Sequence, residues 1–361
     1  MGILFQSKIV LLKSSIISIS CTCFALLMAT DHDLNTRKHL IQLVLILVAG
    51  FVILLAVAPY DQAWTLYLNE NQHEGFKQWM ADSIFELEPI GGSDFALIYV
   101  ILMFIAYLMA WHGMPNPEKS NGWERLKEQL VNSRHLLGYQ VLVGLSTTFF
   151  LVHTSKLVMG RPRPYKVFYD GYVFSHWYEV GQHFISEGWY HGSFPSGHTA
   201  TVFVVIALAY VLINHTNKKL HAWGWVVGAF AFITSVAMLV ARSMSAAHWV
   251  TDSIGSIFFG WAIAHALYFF GVHMPFRSQH VQEKGQPFKV RKHYELLLAW
   301  YMFLACAGFA AMAIGLRAVV RWEVLGWAAG IPIGVALLYG SIKLLRKQAF
   351  FNLAKFKSMG Q

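Results

Sequence analysis

The sequence is poor in charged residues and in cysteine. Only 13% of its 361 residues are charged, whereas 56% are hydrophobic, so the chain has far less polar surface than a soluble globular protein of this length needs. Cys21, Cys23 and Cys306 all lie in apolar stretches, without the spacing of a disulfide framework or a zinc site. The scarcity of charge favours a membrane protein, and the cysteines imply neither a disulfide scaffold nor a zinc site.

Long apolar runs recur along the chain, and about 20 apolar residues are enough to cross a bilayer as a helix. The predicted fold class is therefore all-α, a polytopic membrane helix bundle with eight spans. They lie near residues 39–59, 94–112, 136–157, 198–213, 223–241, 250–272, 295–315 and 324–344. Three parts are expected: an N-terminal segment (1–38), a six-span core (39–272), and a two-span extension with a basic tail (273–361).

The formal net charge of +9 does not indicate nucleic acid, because the basic residues fall mostly in short connections between spans. Such connections are typical of the cytoplasmic side of a membrane. The bias places both termini in the cytoplasm and the loop 160–196 on the opposite side. The residues that carry it include Arg37, Lys38, Lys119, Arg125, Lys127, Arg134, Lys218, Lys219, Arg277, Lys284, Lys289, Arg291 and Lys292.

The first stretch of the chain has several readings. Lys8 and Lys13 accompany an apolar run that resembles a signal peptide or an extra span. Alternatively, translation starts at Met28, and the polar segment after it is an ordinary cytoplasmic N-terminus.

Three polar clusters lie at the same ends of the predicted spans, on the side opposite the basic connections. They are Lys156 with Arg163-Pro164, Pro195-Ser196-Gly197-His198, and Arg242 with His248 and Asp252. A helix that begins at Ser196 and Gly197 directs unpaired N–H groups and its positive dipole end toward an anion. The planar fork of arginine suits the oxygens of a transferring phosphoryl group. The predicted phosphate-binding residues are Lys156, Arg163, Ser196, Gly197 and Arg242.

His248 and Asp252 are four positions apart, so their side chains share one face if the segment is helical. The carboxylate then accepts a hydrogen bond from one ring nitrogen and leaves the other nitrogen as a nucleophile. His198, from a different span, is placed to protonate a leaving alkoxide. The predicted catalytic residues are therefore His248, His198 and Asp252.

These clusters resemble the three-part signature of the phosphatidic acid phosphatase type 2 superfamily, which includes bacterial lipid phosphatases and vanadium haloperoxidases. The family elements are Lys-six residues-Arg-Pro, Pro-Ser-Gly-His, and Ser-Arg-five residues-His-three residues-Asp. The first two match in full, and in the third Ala241 replaces the usual serine. The resemblance implies a phosphohistidine on His248, His198 as the acid, a reaction without metal or cofactor, and a core of six spans.

The expected function is hydrolysis of a lipid phosphate or diphosphate at the periplasmic or outer face of a bacterial inner membrane. Undecaprenyl diphosphate, phosphatidylglycerol phosphate, phosphatidic acid and lipid A are all candidate substrates, and no oligomeric state is predicted. A lipid-to-lipid phosphotransferase would use the same residues. A transporter of anionic lipid or phosphate has no need of a paired His248 and Asp252, and a soluble haloperoxidase does not fit the spans.

Two further features of the sequence have more than one interpretation. The aromatic residues of the loop 165–194 suit a lid in the headgroup layer or an aromatic belt, while Arg161 suits a second phosphate or an interfacial anchor. The last two spans carry Gly308, Gly326, Gly330, Gly334 and Gly340. They are expected to pack as close helices, enlarge a substrate groove, or form an oligomer interface.

Overall fold

A computed structural model describes residues 36–81, 91–112, 121–181, 192–320 and 325–360. Within these ranges the chain is helical and contains no strand, which confirms the predicted all-α membrane bundle. The readings of the first stretch, including a start at Met28, concern residues outside the described ranges, as do Cys21 and Cys23. Cys306 is a free cysteine.

Besides α-helices, the described ranges contain 3-10 turns at Ala58–Tyr60 and Leu325–Ala329 and π-helical segments at Leu145–Leu151 and Leu267–Gly271. In chain order the α-helices are α1 (Thr36–Val57), α2 (Asp61–Glu70), α3 (Glu74–Ala81), α4 (Asp94–His112), α5 (Gly122–Asn132), α6 (Arg134–Gly144), α7 (Val152–Met159), α8 (Pro164–Tyr169), α9 (Gly197–Phe203), α10 (Ile206–Ile213), α11 (Lys218–Met244), α12 (Val250–Ala266), α13 (Met274–Lys284), α14 (Tyr294–Val320), α15 (Gly330–Lys347) and α16 (Leu353–Ser358).

Seven helical stretches within the described ranges are long and apolar enough to cross a membrane. They are Thr36–Glu70, Asp94–His112, Arg134–Tyr169, Lys218–Met244, Val250–Gly271, Tyr294–Val320 and Gly326–Lys347. The predicted span at 198–213 differs from these, because Gly197–Ile213 is a shorter apolar helix. Hydrogen bonds between residues three apart tighten the backbone at Val204, where α9 gives way to α10.

Helix α12 forms the centre of the bundle, since its stretch is the most buried of the seven. Its polar side chains are satisfied inside the bundle, as a low-dielectric interior requires. Trp261 donates to the hydroxyl of Tyr210 at 2.9 Å, and that hydroxyl lies 3.0 Å from His265 Nδ1. Because α12 is anchored on several neighbours, its first turn is a fixed platform at one end of the bundle.

The connection after α1 folds across that same end. Helices α2 and α3 lie in this connection. Asn69 donates to the carbonyl of Met244 at 2.8 Å, and Arg242 donates to the carbonyl of Ala81 at 3.3 Å. These contacts bring the start of the chain's core to the C-terminal end of α11 and to the first turn of α12, a region called here the site end.

The extension packs against the helix that carries Lys156. The rings of Phe150 and Phe303 are 5.9 Å apart, and further along both helices Leu157 packs against Ile314 and Ala318. The residue order is the same on both sides, so α14 runs parallel to α7 and finishes at the site end.

Helices α14 and α15 approach each other through glycine. A Cβ atom added at Gly334 would lie 2.4 Å from the carbonyl oxygen of Gly308, and one at Gly330 would lie 2.5 Å from that of Ala311. Both distances are too short for any side chain, so the pair packs as close helices. Gly326 and Gly340 have open space instead.

A buried ion pair lies within the extension at the end opposite the site, and a hydrogen bond from Tyr107 joins it to the core. Arg277 of α13 donates to Glu295 Oε1 at 2.6 Å, and Tyr107 of α4 donates to Glu295 Oε2 at 3.0 Å. Both charged side chains are 1% exposed. Gly138 of α6 leaves room for this carboxylate, because a Cβ atom there would lie 2.6 Å from Glu295 Cγ.

Candidate active site

The turn before α9 is fixed onto α12. Ser196 is the N-cap of α9, with its hydroxyl oxygen 3.5 Å from the N–H of Thr199. Its own N–H donates to the carbonyl of Asp252 at 3.1 Å, and Ser256 donates to the Ser196 carbonyl at 2.7 Å. Gly197 therefore sits directly beside the first turn of α12. A Cβ atom at Gly197 would make only an ordinary 3.6 Å contact, so the protein's own packing does not require glycine there.

His248 and Asp252 meet as their spacing predicts, although His248 precedes α12 instead of lying within it. His248 Nδ1 is 3.4 Å from Asp252 Oδ2. The same oxygen accepts from the N–H of Trp249 at 2.8 Å and from the hydroxyl of Ser193. The backbone of Ser193 also bonds the imidazole of His248. With its hydrogen on Nδ1, the ring is oriented by these acceptors and presents the Nε2 lone pair.

Three cations surround this imidazole. Lys156 lies in the last turn of α7, Arg163 is the N-cap of α8, and Arg242 lies in the last turn of α11. All three act electrostatically on both His248 and His198. Burial, followed by these three charges, lowers the pKa of His248 well below its ordinary value of 6.5. The arrangement therefore keeps the imidazole unprotonated and surrounds it with positive charge, which suits an anion.

The structure thus brings all eight predicted site residues to one end of the bundle. His248, Asp252 and Ser196 are almost fully buried, and Lys156 and Arg242 are 8% and 7% exposed. Ala241, where the family signature has serine, is buried among Met80, Ala81, Val202 and Met238.

Arg161 has a place that the sequence does not reveal. It is fully buried, so the expectation of an interfacial anchor is wrong, and its guanidinium is engaged by protein groups. Nη1 donates to Asp252 Oδ1 at 2.7 Å and to the Thr251 hydroxyl at 2.8 Å, and Nη2 donates to Asp61 Oδ2 at 2.7 Å. Nε donates to the carbonyl of Ser175 at 2.8 Å.

Asp61 is the second residue that sequence reasoning missed. It belongs to α2 and is fully buried. Its Oδ1 accepts from the N–H of Thr251 at 3.0 Å, and its Oδ2 accepts from the Thr251 hydroxyl and from Arg161. Accepting at both oxygens is the pattern of an ionised carboxylate. No motif connects a residue near the end of the first span with the start of the sixth, so only the fold reveals this contact.

The described part of the aromatic loop forms a wall beside the site. Phe168 and Phe174 make edge contacts with Trp249, at ring distances of 5.5 and 4.8 Å, and Trp249 donates to the carbonyl of Pro162 at 2.8 Å. Trp177 is buried against Phe194. Tyr169 and Tyr178 are exposed. Phe184, Trp189 and Tyr190 lie outside the described ranges.

Residues 137–274 match the family model of the PAP2 superfamily. This segment of the chain is similar to the PAP2 superfamily. Neither a curated protein nor a solved structure matches it. The similarity of this segment to the PAP2 superfamily supports a phosphoester hydrolase, and the apolar helices support a multi-pass membrane protein.

The PAP2 segment contains every site residue that the sequence predicts, from Lys156 to Asp252. It also contains Arg161. Asp61 lies outside it, as do α14 and α15. The buried contact between Asp61 and Arg161 therefore joins the PAP2 segment to a part of the chain that the family model does not cover.

Proposed function

We propose that this protein is an integral membrane phosphatase that hydrolyses a lipid phosphate or diphosphate through a phosphohistidine, with the region 39–272 as its catalytic core. The observation that supports this best is a single one. An almost fully buried imidazole, His248, contacts a carboxylate on one side and lies within the field of three cations.

The reaction follows from the position of each group. Nε2 of His248 attacks phosphorus, and the bond from phosphorus to the leaving oxygen breaks while His198 gives that oxygen a proton. Asp252 stabilises the positive charge that develops on the phosphorylated ring. Lys156, Arg163 and Arg242 neutralise the equatorial oxygens. Water then attacks the phosphohistidine, orthophosphate leaves, and His248 is regenerated.

The lipid class fits the position of the site at the end of apolar helices. A phosphate headgroup enters the pocket while the acyl or prenyl chain stays beside the exposed apolar side chains of the bundle. The distribution of basic connections supports a site at the periplasmic or outer face of a bacterial inner membrane. A phosphotransferase differs only in the acceptor, because a second lipid then replaces water.

The test is phosphate release by the purified full chain in detergent micelles, with undecaprenyl diphosphate, phosphatidylglycerol phosphate, phosphatidic acid and lipid A as substrates. His248→Gln is expected to lower turnover by about 10³-fold or more, because the nucleophile is lost. His265→Gln is the matched control, since His265 is a fully buried histidine that bonds Tyr210 within the bundle.

Three further readouts accompany the panel. Acid-labile radiolabel should be trapped on the wild type and be absent from His248→Gln. A product in which phosphate has moved to a second lipid identifies the phosphotransferase. A chelator should leave the rate unchanged, because three cations around His248 repel a divalent metal ion. Equal turnover in His248→Gln and His265→Gln would refute the proposal.

A further inference from the structure

Arg161 pairs with two carboxylates, Asp61 and Asp252, next to the imidazole of His248. The group of Asp61, Arg161, Thr251 and Asp252, called here the buried clamp, contains two carboxylates and one guanidinium, all at most 1% exposed. If Arg161 faced Asp252 alone, the guanidinium would cancel the charge that Asp252 offers to His248. Because Asp61 takes the other side of the guanidinium, the buried clamp keeps one net negative charge.

The buried clamp also fixes geometry. Asp252 Oδ1 is held by Arg161, which leaves Oδ2 for His248, Trp249 and Ser193. The carbonyl of Arg161 in turn accepts from the N–H of Ser193 at 2.7 Å. Both groups that orient the His248 ring, the carboxylate of Asp252 and the backbone of Ser193, are therefore positioned by one residue.

We propose that Asp61 and Arg161 are positioning residues that orient Asp252 and set the net charge it presents to His248. This inference rests on the proposed function, since it concerns the nucleophile of that reaction. It adds a residue outside the PAP2 segment, Asp61, to the machinery around that nucleophile. Neither residue touches the substrate in this scheme, because both are fully buried behind Asp252.

The charge balance predicts opposite effects for the two members of the pair. The groups that face His248 are Asp252 on its own segment and the cations Lys156, Arg163 and Arg242, with His198 opposite. Asp61→Asn removes a negative charge from behind this set, so protonation of His248 becomes harder. Arg161→Gln removes a positive charge, so protonation becomes easier.

The experiment is the pH dependence of kcat/KM for phosphate release by the full chain. The acid limb is the fall of kcat/KM at low pH, where His248 becomes protonated. Asp61→Asn should move this limb to lower pH by about half to one unit, and Arg161→Gln should move it to higher pH by a similar amount. The double variant should return the limb close to that of the wild type, because the two charges are removed together. Asp61→Glu and Arg161→Lys keep the charges and should keep the limb, even where turnover falls.

Glu295→Gln is the matched control. It also removes a buried carboxylate from an arginine ion pair, but at the opposite end of the bundle, so it should lower stability without moving the limb. The pH dependence of orthovanadate binding gives a second reading that needs no turnover and serves for any variant with too little activity.

In an active enzyme, two results would refute the proposed role of the buried clamp. Either the acid limbs of kcat/KM coincide in all variants, or they move in the same direction in both single variants. A wild type that neither releases phosphate nor binds vanadate would instead contradict the proposed function, and the buried clamp with it. An active wild type with unmoved limbs contradicts the buried clamp alone.

Discussion

The ion pair between Arg277 and Glu295 gives a stability prediction that does not depend on the reaction. Glu295→Gln removes the charge but nearly keeps the shape of the side chain, and it leaves Arg277 buried without its carboxylate. Removing one partner of a buried pair costs about 3 to 5 kcal/mol. For a chain of this size, that corresponds to a fall of about 5 to 10 °C in the unfolding temperature.

The assay is thermal unfolding of the purified protein in detergent, followed by the fluorescence of its 13 tryptophans. Limited proteolysis between α13 and α14 should become faster, because the ion pair joins α13 to α14 and lies beside the contact with Tyr107 of α4. The control is Glu283→Gln, which changes an exposed carboxylate on α13, the helix of Arg277, and should alter the free energy of unfolding by no more than about 0.5 kcal/mol.

A double replacement, Arg277→Met with Glu295→Leu, tests the same reasoning by removing both charges of the pair. It leaves no unpaired charge, so it should be more stable than Glu295→Gln alone. If Glu295→Gln and Glu283→Gln unfold at the same temperature, the ion pair does not hold the extension, and the argument from burial is refuted.

Three further predictions concern the site and the extension. Asp252→Asn should lower kcat by about 10² to 10⁴-fold, because the ring of His248 loses its carboxylate; more than a tenth of wild-type turnover in a folded variant would contradict this. Because the pKa of His248 is lowered, the wild-type acid limb of kcat/KM should lie below pH 6.5, and a limb at or above that value would count against the nucleophile. Gly334→Leu should force α14 and α15 apart and lower the free energy of unfolding by about 1 to 3 kcal/mol. Gly340 faces open space, so Gly340→Leu should unfold at the same temperature as the wild type.

Much of the fold follows from apolar runs, because a bilayer requires long helices whose backbone groups are paired internally. Seven of the eight predicted spans meet this requirement. The stretch at 198–213 does not, since Gly197–Ile213 is a shorter helix whose backbone tightens at Val204. Helices α2 and α3 could not be predicted from the sequence, because short polar helices carry little periodic signal. The π-helical segments have no recognisable sequence signal either.

Only some of the site residues could be predicted from the sequence. Lys156, Arg163, His198, Arg242, His248 and Asp252 can be selected in advance because their chemistry and spacing form a pattern. Arg161 cannot be assigned from the sequence, since an arginine at the end of a span has several possible partners. Its actual partner, Asp61, is 100 positions away. Long-range pairs of this kind are determined by packing, and one sequence alone does not contain that information.

The contact between Asp61 and Thr251 joins residues 190 positions apart, and this has a consequence for biogenesis. During synthesis the first span enters the bilayer long before the sixth leaves the ribosome, so the pocket is incomplete for most of translation. A chain that ends before the sixth span lacks Thr251 and therefore lacks this contact with Asp61. In the proposed mechanism, phosphatase activity therefore requires that the first and the sixth span have both been inserted.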